Sequence, residues 1–168
     1  MSTRTTSIRR AREADLGGLS KVFDASWREA YRGIIPGVAL ERLISARDRA
    51  WWRSALRRGR PIAVVETGER VVGYAAYGRT RSRSLGTEAE IDELYLLPEY
   101  QGVGLGRRLF RAVRNDLADH GLTRLGVWSL EDNARASAFY EGLGGVAGPR
   151  VLDRVAGLPL PKVGFLFG

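Results

Sequence analysis

The chain has 168 residues, 44% hydrophobic and 27% charged, which fits one soluble globular domain with a sizeable core. Its formal charge of +8 is carried almost wholly by arginine, with Lys21 and Lys162 the only lysines; arginine bias, a polyanionic cofactor and a nucleic acid are each compatible with that. The absence of cysteine and the single histidine, His120, exclude disulfides, thiolate nucleophiles and zinc–cysteine sites and make a metal cluster unexpected.

In chain order, TTSIRRA reads as a short first strand. Asp15 stands where an N-cap would, ahead of a helix with Leu16, Leu19, Phe23, Trp27 and Ala30 on one face. YRGIIPG interrupts it, and Pro36 is placed to open a second helix through Leu40 and Leu43. A third stretch, RDRAWWRSALRRG, sets Arg49, Arg53 and Arg57 as a wet stripe opposite Trp52, Ala55 and Leu56 and ends at Gly59. PIAVVE and RVVGYAAYG flank a TGE turn and read as a hairpin. After the loop RTRSRSLGT comes a strand over Ala89–Leu97, then a glycine loop and a helix with Leu109, Phe110, Val113 and Leu117 at helical spacing, closed by Gly121. LGVWSL is a strand, EDNARASAFYEGLGG a helix closed by glycines, and two strand-like runs lie around Arg150–Val155 and Lys162–Phe167. No linker, repeat or low-complexity block divides the chain, so one domain over residues 1–168 is expected. No run approaches the roughly 20 apolar residues of a membrane span. The opening MSTRTTSIRRARE lacks an apolar core, so a cytoplasmic protein without a membrane partner is expected.

The segment LYLLPEYQGVGLG carries the most information. An apolar strand stops at a proline, and Gly102, Gly104 and Gly106 follow before the helix. Glycines let the backbone turn tightly and approach a ligand, and the first free N–H groups of a helix then face an anion. Gln101, Gly102, Val103, Gly104, Leu105, Gly106 and Arg107 are therefore candidates for holding phosphate. The loop is not a P-loop, because Arg107 and Arg108 stand where Lys and a hydroxyl would be, and GxGxxG counted from Gly102 would need a glycine at 107.

The preceding strand has an anomaly. Plain alternation gives Ile91, Glu93, Tyr95 and Leu97 on one face and Glu90, Asp92, Leu94 and Leu96 on the other, with acids first and apolar groups last on both. An extra residue near Glu93, a β-bulge, would align Ile91 with Leu94 and Leu96. It would also leave main-chain groups of Leu94, Tyr95 and Leu96 open to an extended ligand. A strand whose start dips into solvent gives the same pattern.

The motif Gln-x-x-Gly-x-Gly at Gln101, Gly104 and Gly106, followed by Asn133 and Tyr140 in EDNARASAFYEGLGG, resembles the two signature segments of the GCN5-related N-acetyltransferases (GNAT). IRRAREADLGGL, SWREAYRGIIP, VVGYA and LPLPKVGFLFG are similar to family counterparts as well. The resemblance implies an α/β (α+β) GNAT fold: a central mixed, mostly antiparallel sheet of about six to seven strands, flanked by about four helices, with a splay next to a β-bulge strand. It implies acetyl-CoA as cofactor, Asn133 on the pantetheine arm, and Tyr140 beside the thioester sulfur as general acid. A primary amine of a small molecule or peptide would be the acceptor, met at its far end by Trp27 and Tyr31. A homodimer is compatible; a nucleic-acid partner is not expected.

An amine must lose a proton before attack, and Glu93, then Glu90, are the first carboxylates to consider, with Asp92 between them. The main chain at Leu96 can supply an oxyanion donor. Without cysteine for a covalent acyl-enzyme, direct transfer in a ternary complex is expected. A non-catalytic CoA-binding domain and a basic nucleic-acid-binding module are the alternatives.

Overall fold

A computed structural model describes residues 4–168. In chain order the described elements are β1 (Thr6–Arg10), α1 (Leu16–Tyr31), α2 (Gly37–Ala46), α3 (Arg49–Arg57), β2 (Ile62–Thr67), β3 (Arg70–Arg79), β4 (Ala89–Leu96), α4 (Leu105–Asp119), β5 (Leu125–Leu130), α5 (Ala134–Gly142), β6 (Val146–Val155) and β7 (Leu158–Phe167). The strands form one sheet in the order β1-β2-β3-β4-β5-β7-β6. The β4–β5 pair is parallel, while β1–β2, β2–β3, β5–β7 and β6–β7 are antiparallel. This is the mixed sheet expected of the GNAT fold, with α2 and α3 as separate helices.

Contacts gather the chain into two compact units, one reaching to Ala76 and including Glu93–Val113, the other made of Tyr77–Asp92 and Arg114–Gly168. In the first unit α1 buries Leu16, Leu19, Val22 and Phe23, and α3 buries Trp52 and Ala55, while Trp27, Ala30 and Leu56 of the expected faces are only half-buried. Asp48 caps α3 by accepting from Trp51 N at 2.9 Å. Helix α1 lies so close to β3 that a Cβ on Gly18 would sit 2.7 Å from Val71 Cβ.

Asp15 departs from its expected role. A 3₁₀ turn, Glu13–Asp15, precedes α1, and Asp15 itself has helical backbone angles, so its side chain is turned away from the first turn of the helix. It accepts instead from Arg12 N (2.8 Å) and from both terminal nitrogens of Arg9 on β1 (2.7 and 2.9 Å). Arg9 also reaches Glu66 on β2 at 3.2 Å, so one guanidinium joins two strands to the entry of α1.

In the second unit α4 closes with Leu122 N on Leu117 O (3.0 Å) and Gly121 at φ +77°, a Schellman ending. Strands β6 and β7 extend beyond the runs expected around Arg150–Val155 and Lys162–Phe167, taking in Val146–Pro149 and Leu158–Pro161. Pro149 falls within a register shift between Ala147 and Arg150 on β6, which lies at the sheet edge. Pro159 and Pro161 lie on the part of β7 that pairs only with β6, since pairing with β5 begins at Lys162. A strand tolerates proline where a donor is not required on both sides.

Burial works to raise the pKa of Asp15, but Arg9 and the Arg12 amide outweigh it and hold the carboxyl below its ordinary value. With the folded pKa below the unfolded one, the pair's stabilisation is complete above about pH 4 and is lost as pH falls through the folded pKa. Asp15→Ala removes one of the two carboxylates that hold Arg9 and the acceptor of Arg12 N, and should cost about 2 kcal/mol at neutral pH. Urea unfolding should show that loss, and the difference from wild type should shrink in acid.

Candidate active site

The glycine loop lies in the first unit. Strand β4 ends at Leu96, and Pro98–Tyr100 form a 3₁₀ turn. Gln101 then folds back, its amide nitrogen donating to Leu96 O at 3.1 Å and to Glu29 Oε2 at 3.4 Å. Gly102 and Gly104 take φ of +76° and +87°, and a Cβ built on either meets nothing within 4 Å. Glycine is needed here for backbone conformation, and the loop opens outward. Gly104 O accepts from Arg108 N at 3.1 Å, so α4 begins there and the amides of Leu105, Gly106 and Arg107 have no intrahelical acceptor. Gly106 is not a loop residue: it is buried inside the first turn of α4. Val103 and Arg107 are exposed, and Leu105 is buried.

Strand β4 carries the acids. Its pairing with β5 runs in unbroken register over Ala89–Ile91 and stops there. Asp92, Glu93, Leu94 and Tyr95 are half-buried, and Leu96 is buried. Glu90 is buried and accepts from Arg81 N (3.0 Å) and Thr80 Oγ1 (3.3 Å), which ties down the loop after β3. Asp92 pairs with Arg81 at 3.2 Å. Glu93 Oε1 accepts from Arg47 Nη1 at 2.7 Å and from the Tyr74 hydroxyl at 3.3 Å. All three carboxylates are engaged, contrary to a picture of solvated acids on a strand edge.

Arg47 was not singled out from the sequence. It joins α2 to α3, and its guanidinium lies 4.1 Å from the Phe23 ring centroid and 4.3 Å from that of Trp51. Burial opposes its charge, but Glu93 more than offsets this, so Arg47 stays firmly cationic. Tyr74 is pushed well above the ordinary phenol value by burial first and by Glu93 second. The sequence held no signal for the Arg47–Glu93 pair, because the partners are 46 residues apart.

On α1, the rings of Phe23, Trp27 and Tyr31 form a ladder, with centroids 4.9 and 4.5 Å apart. Of the two aromatics expected at the acceptor, Tyr31 is buried and Trp27 is half-buried. The Trp27 indole N–H and the Ser26 hydroxyl have no protein hydrogen-bond partner.

The second unit holds Asn133 and Tyr140. Asn133 precedes α5 as its N-cap, its Oδ1 accepting from Ala136 N at 3.1 Å, and so does not sit on the helix face with Tyr140. Its amide nitrogen is a separate donor. Tyr140 is 6% exposed and packs between Phe139 and Phe165, at 5.2 and 5.7 Å between centroids. Burial raises its pKa above the ordinary phenol value, so the hydroxyl keeps its proton at neutral pH.

The chemistry of the first unit's loop suits a pyrophosphate: outward glycines, unpaired helix-start amides and an adjacent exposed arginine. No group of three or more acids or histidines able to hold a metal occurs among the described residues. A sequence model of the Acetyltransferase (GNAT) family matches residues 21–144. The chain belongs to this family. It is 33% identical to the uncharacterized N-acetyltransferase YuaI of Bacillus subtilis over 161 residues, 94% of this chain and 90% of that one. It is 28% identical to the L-amino acid N-acyltransferase MnaT of Escherichia coli, across 96% of this chain and 87% of the relative. In fold it matches the PaiA N-acetyltransferase of Thermoplasma acidophilum, solved with coenzyme A, at a TM-score of 0.73 and 18% identity, covering 95% and 98% of the two chains. This GNAT protein is an acyl-CoA-dependent N-acetyltransferase that uses acetyl-CoA. Among its described residues, no helix is long and apolar enough to cross a membrane.

Tyr140 burial has a direct spectroscopic consequence. Its phenol should not ionise below about pH 11, whereas a solvated tyrosine does so near 10. Absorbance titration of native wild type and native Tyr140→Phe should therefore coincide up to that pH.

Proposed function

We propose that this acetyltransferase moves the acetyl group of acetyl-CoA to a primary amine of a small molecule or peptide, by direct transfer in a ternary complex. The observation that carries the reading is the glycine turn opening onto the free amides of α4. Main-chain donors from Gly102 to Arg107 hold the pyrophosphate, Gln101 sets the loop, and the exposed Arg107 adds charge. The arginine-rich surface then serves a polyanionic cofactor in the cytoplasm rather than a nucleic acid.

When bound, acetyl-CoA supplies an activated thioester carbonyl; the chain supplies position and proton handling. Main-chain groups of Leu94, Tyr95 and Leu96 bond the extended arm, with Leu96 offering a donor to the oxyanion. The Asn133 amide nitrogen, left over from capping, adds a donor to the arm. Tyr140, protonated at neutral pH, gives its proton to the departing sulfur. Glu93, ion-paired with Arg47, receives the amine's proton through a water, whereas Glu90 is committed to Arg81 and Thr80. Trp27, half-buried, offers a ring face to the acceptor, with Tyr31 behind it as support. MnaT is named for acylating L-amino acids, which favours a small α-amino acceptor alongside peptide amines.

A panel of amines and peptides incubated with acetyl-CoA, read as free thiol released, tests the activity. Thiol release should require an acceptor; binding of acetyl-CoA without transfer to any amine would make the domain a CoA-binding module. Gly104→Val places a branched residue at φ +87°, which should weaken acetyl-CoA at least ~10-fold, about 1.4 kcal/mol, by calorimetry on folded protein. Tyr140→Phe should lower kcat by roughly 10²-fold with little change in acetyl-CoA affinity. A preserved kcat would assign the proton to another donor.

A further inference from the structure

We propose that Arg47 is the resident occupant of a cation cage, and that by filling it Arg47 bars acceptors bearing a second positive charge. The cage walls are aromatic and acidic. The guanidinium carbon lies 4.1 Å from the Phe23 centroid, 4.3 Å from Trp51 and 5.6 Å from Trp52. Glu93 accepts from its Nη1 at 2.7 Å and is held from the other side by the Tyr74 hydroxyl at 3.3 Å. Ring faces plus a carboxylate are the recognised means of binding a desolvated cation.

The walls and the occupant differ in how they are held. Phe23 belongs to α1, Trp51 and Trp52 to α3, Tyr74 to β3 and Glu93 to β4, all regular elements of one compact unit. Arg47 alone comes from a connection, the two residues Arg47 and Asp48 between α2 and α3. Its side chain is 22% exposed against 13% for Glu93, so the occupant closes the cage on its solvent side.

The electrostatic consequence is specific. With Arg47 in place, the Glu93 charge is neutralised, and an incoming cation must compete with a tethered one at high local concentration. Without Arg47, the Glu93 carboxylate and the ring surfaces that it leaves bare make a site for a planar or alkylammonium cation. The native acceptor is thus a monoamine whose remaining groups are neutral or acidic. That half of the proposal rests on the amine-transfer reading with Glu93 at the acceptor end; the cage itself does not.

The test uses the full chain as wild type, Arg47→Ala and Arg47→Ala/Glu93→Gln. Methylguanidinium chloride is titrated at constant ionic strength, with tryptophan fluorescence and melting temperature as readouts. Arg47→Ala should show saturable binding and a rising melting temperature; wild type should show neither, and the double variant should bind at least ~10-fold more weakly. In transfer assays, the ratio of kcat/KM for 1,5-diaminopentane to that for n-pentylamine should rise at least ~10-fold in Arg47→Ala, a ratio that cancels changes common to both amines. Equal responses in wild type and folded Arg47→Ala, or an unchanged amine ratio despite methylguanidinium binding, would overturn the proposal. Methylguanidinium binding with no amine acetylated by any variant, wild type included, would uphold the cage and sink amine transfer instead. If Arg47→Ala does not fold alone, recovery of folded protein by added methylguanidinium in that variant, and not in the double variant, supports the cage. Recovery in both or in neither contradicts it.

Discussion

The donor side of this enzyme depends on a main-chain constraint at the passage from β4 to α4. A strand spends its N–H and C=O groups sideways, and a helix spends them along its axis, so the first amides of the helix are left without partners. The chain makes this change across Gln101–Gly104, with left-handed backbone at Gly102 and Gly104. The side chain of Gln101 bonds back to Leu96 O, which fixes the turn relative to the strand end. The outcome is a set of donors at Leu105–Arg107 whose orientation is set by backbone geometry rather than by flexible side chains.

The acids of β4 obey a different rule. A carboxylate taken partly out of water must be paired or hydrogen-bonded, or it becomes a large liability. Glu90, Asp92 and Glu93 satisfy it with Arg81 N, the Arg81 guanidinium and Arg47 in turn. Of the three, Glu93 is the one met by a cation against aromatic rings, which is why the proposal on acceptor choice rests on this pair rather than on the acids as a group. The half-buried Trp27, with its orphan indole N–H, extends the same aromatic row from Phe23.

Local periodicity made much of this legible in the sequence. The helix faces of α3 and α4, the β2–β3 hairpin and the strand–glycine–helix passage all rest on residues close in the chain. Errors arose where one residue's role was set by distant groups. Asp15 looked like a cap and proved to be the partner of Arg9, because a 3₁₀ turn intervenes. Gly106 looked like a third loop glycine and lies within the helix. The strand runs around Arg150–Val155 and Lys162–Phe167 proved longer, because the register shift on β6 and the singly paired end of β7 accommodate prolines 149, 159 and 161. Helical spacing brings Trp27 and Tyr31 close together without saying which is covered, and it is Tyr31 that is buried. The Arg47–Glu93 pair joins an interhelical connection to a strand, and no local pattern announces it.

The central claim is that main-chain amides at the start of α4 hold the cofactor's pyrophosphate. Amide proton–nitrogen NMR shifts on titration with coenzyme A test it most directly, with pantetheine, which lacks the pyrophosphate, as the control. The expected result is large, saturable shifts at Gly102–Arg107 with coenzyme A and not with pantetheine. Saturable coenzyme A binding that leaves those amides unmoved, with its shifts elsewhere in the chain, would contradict it.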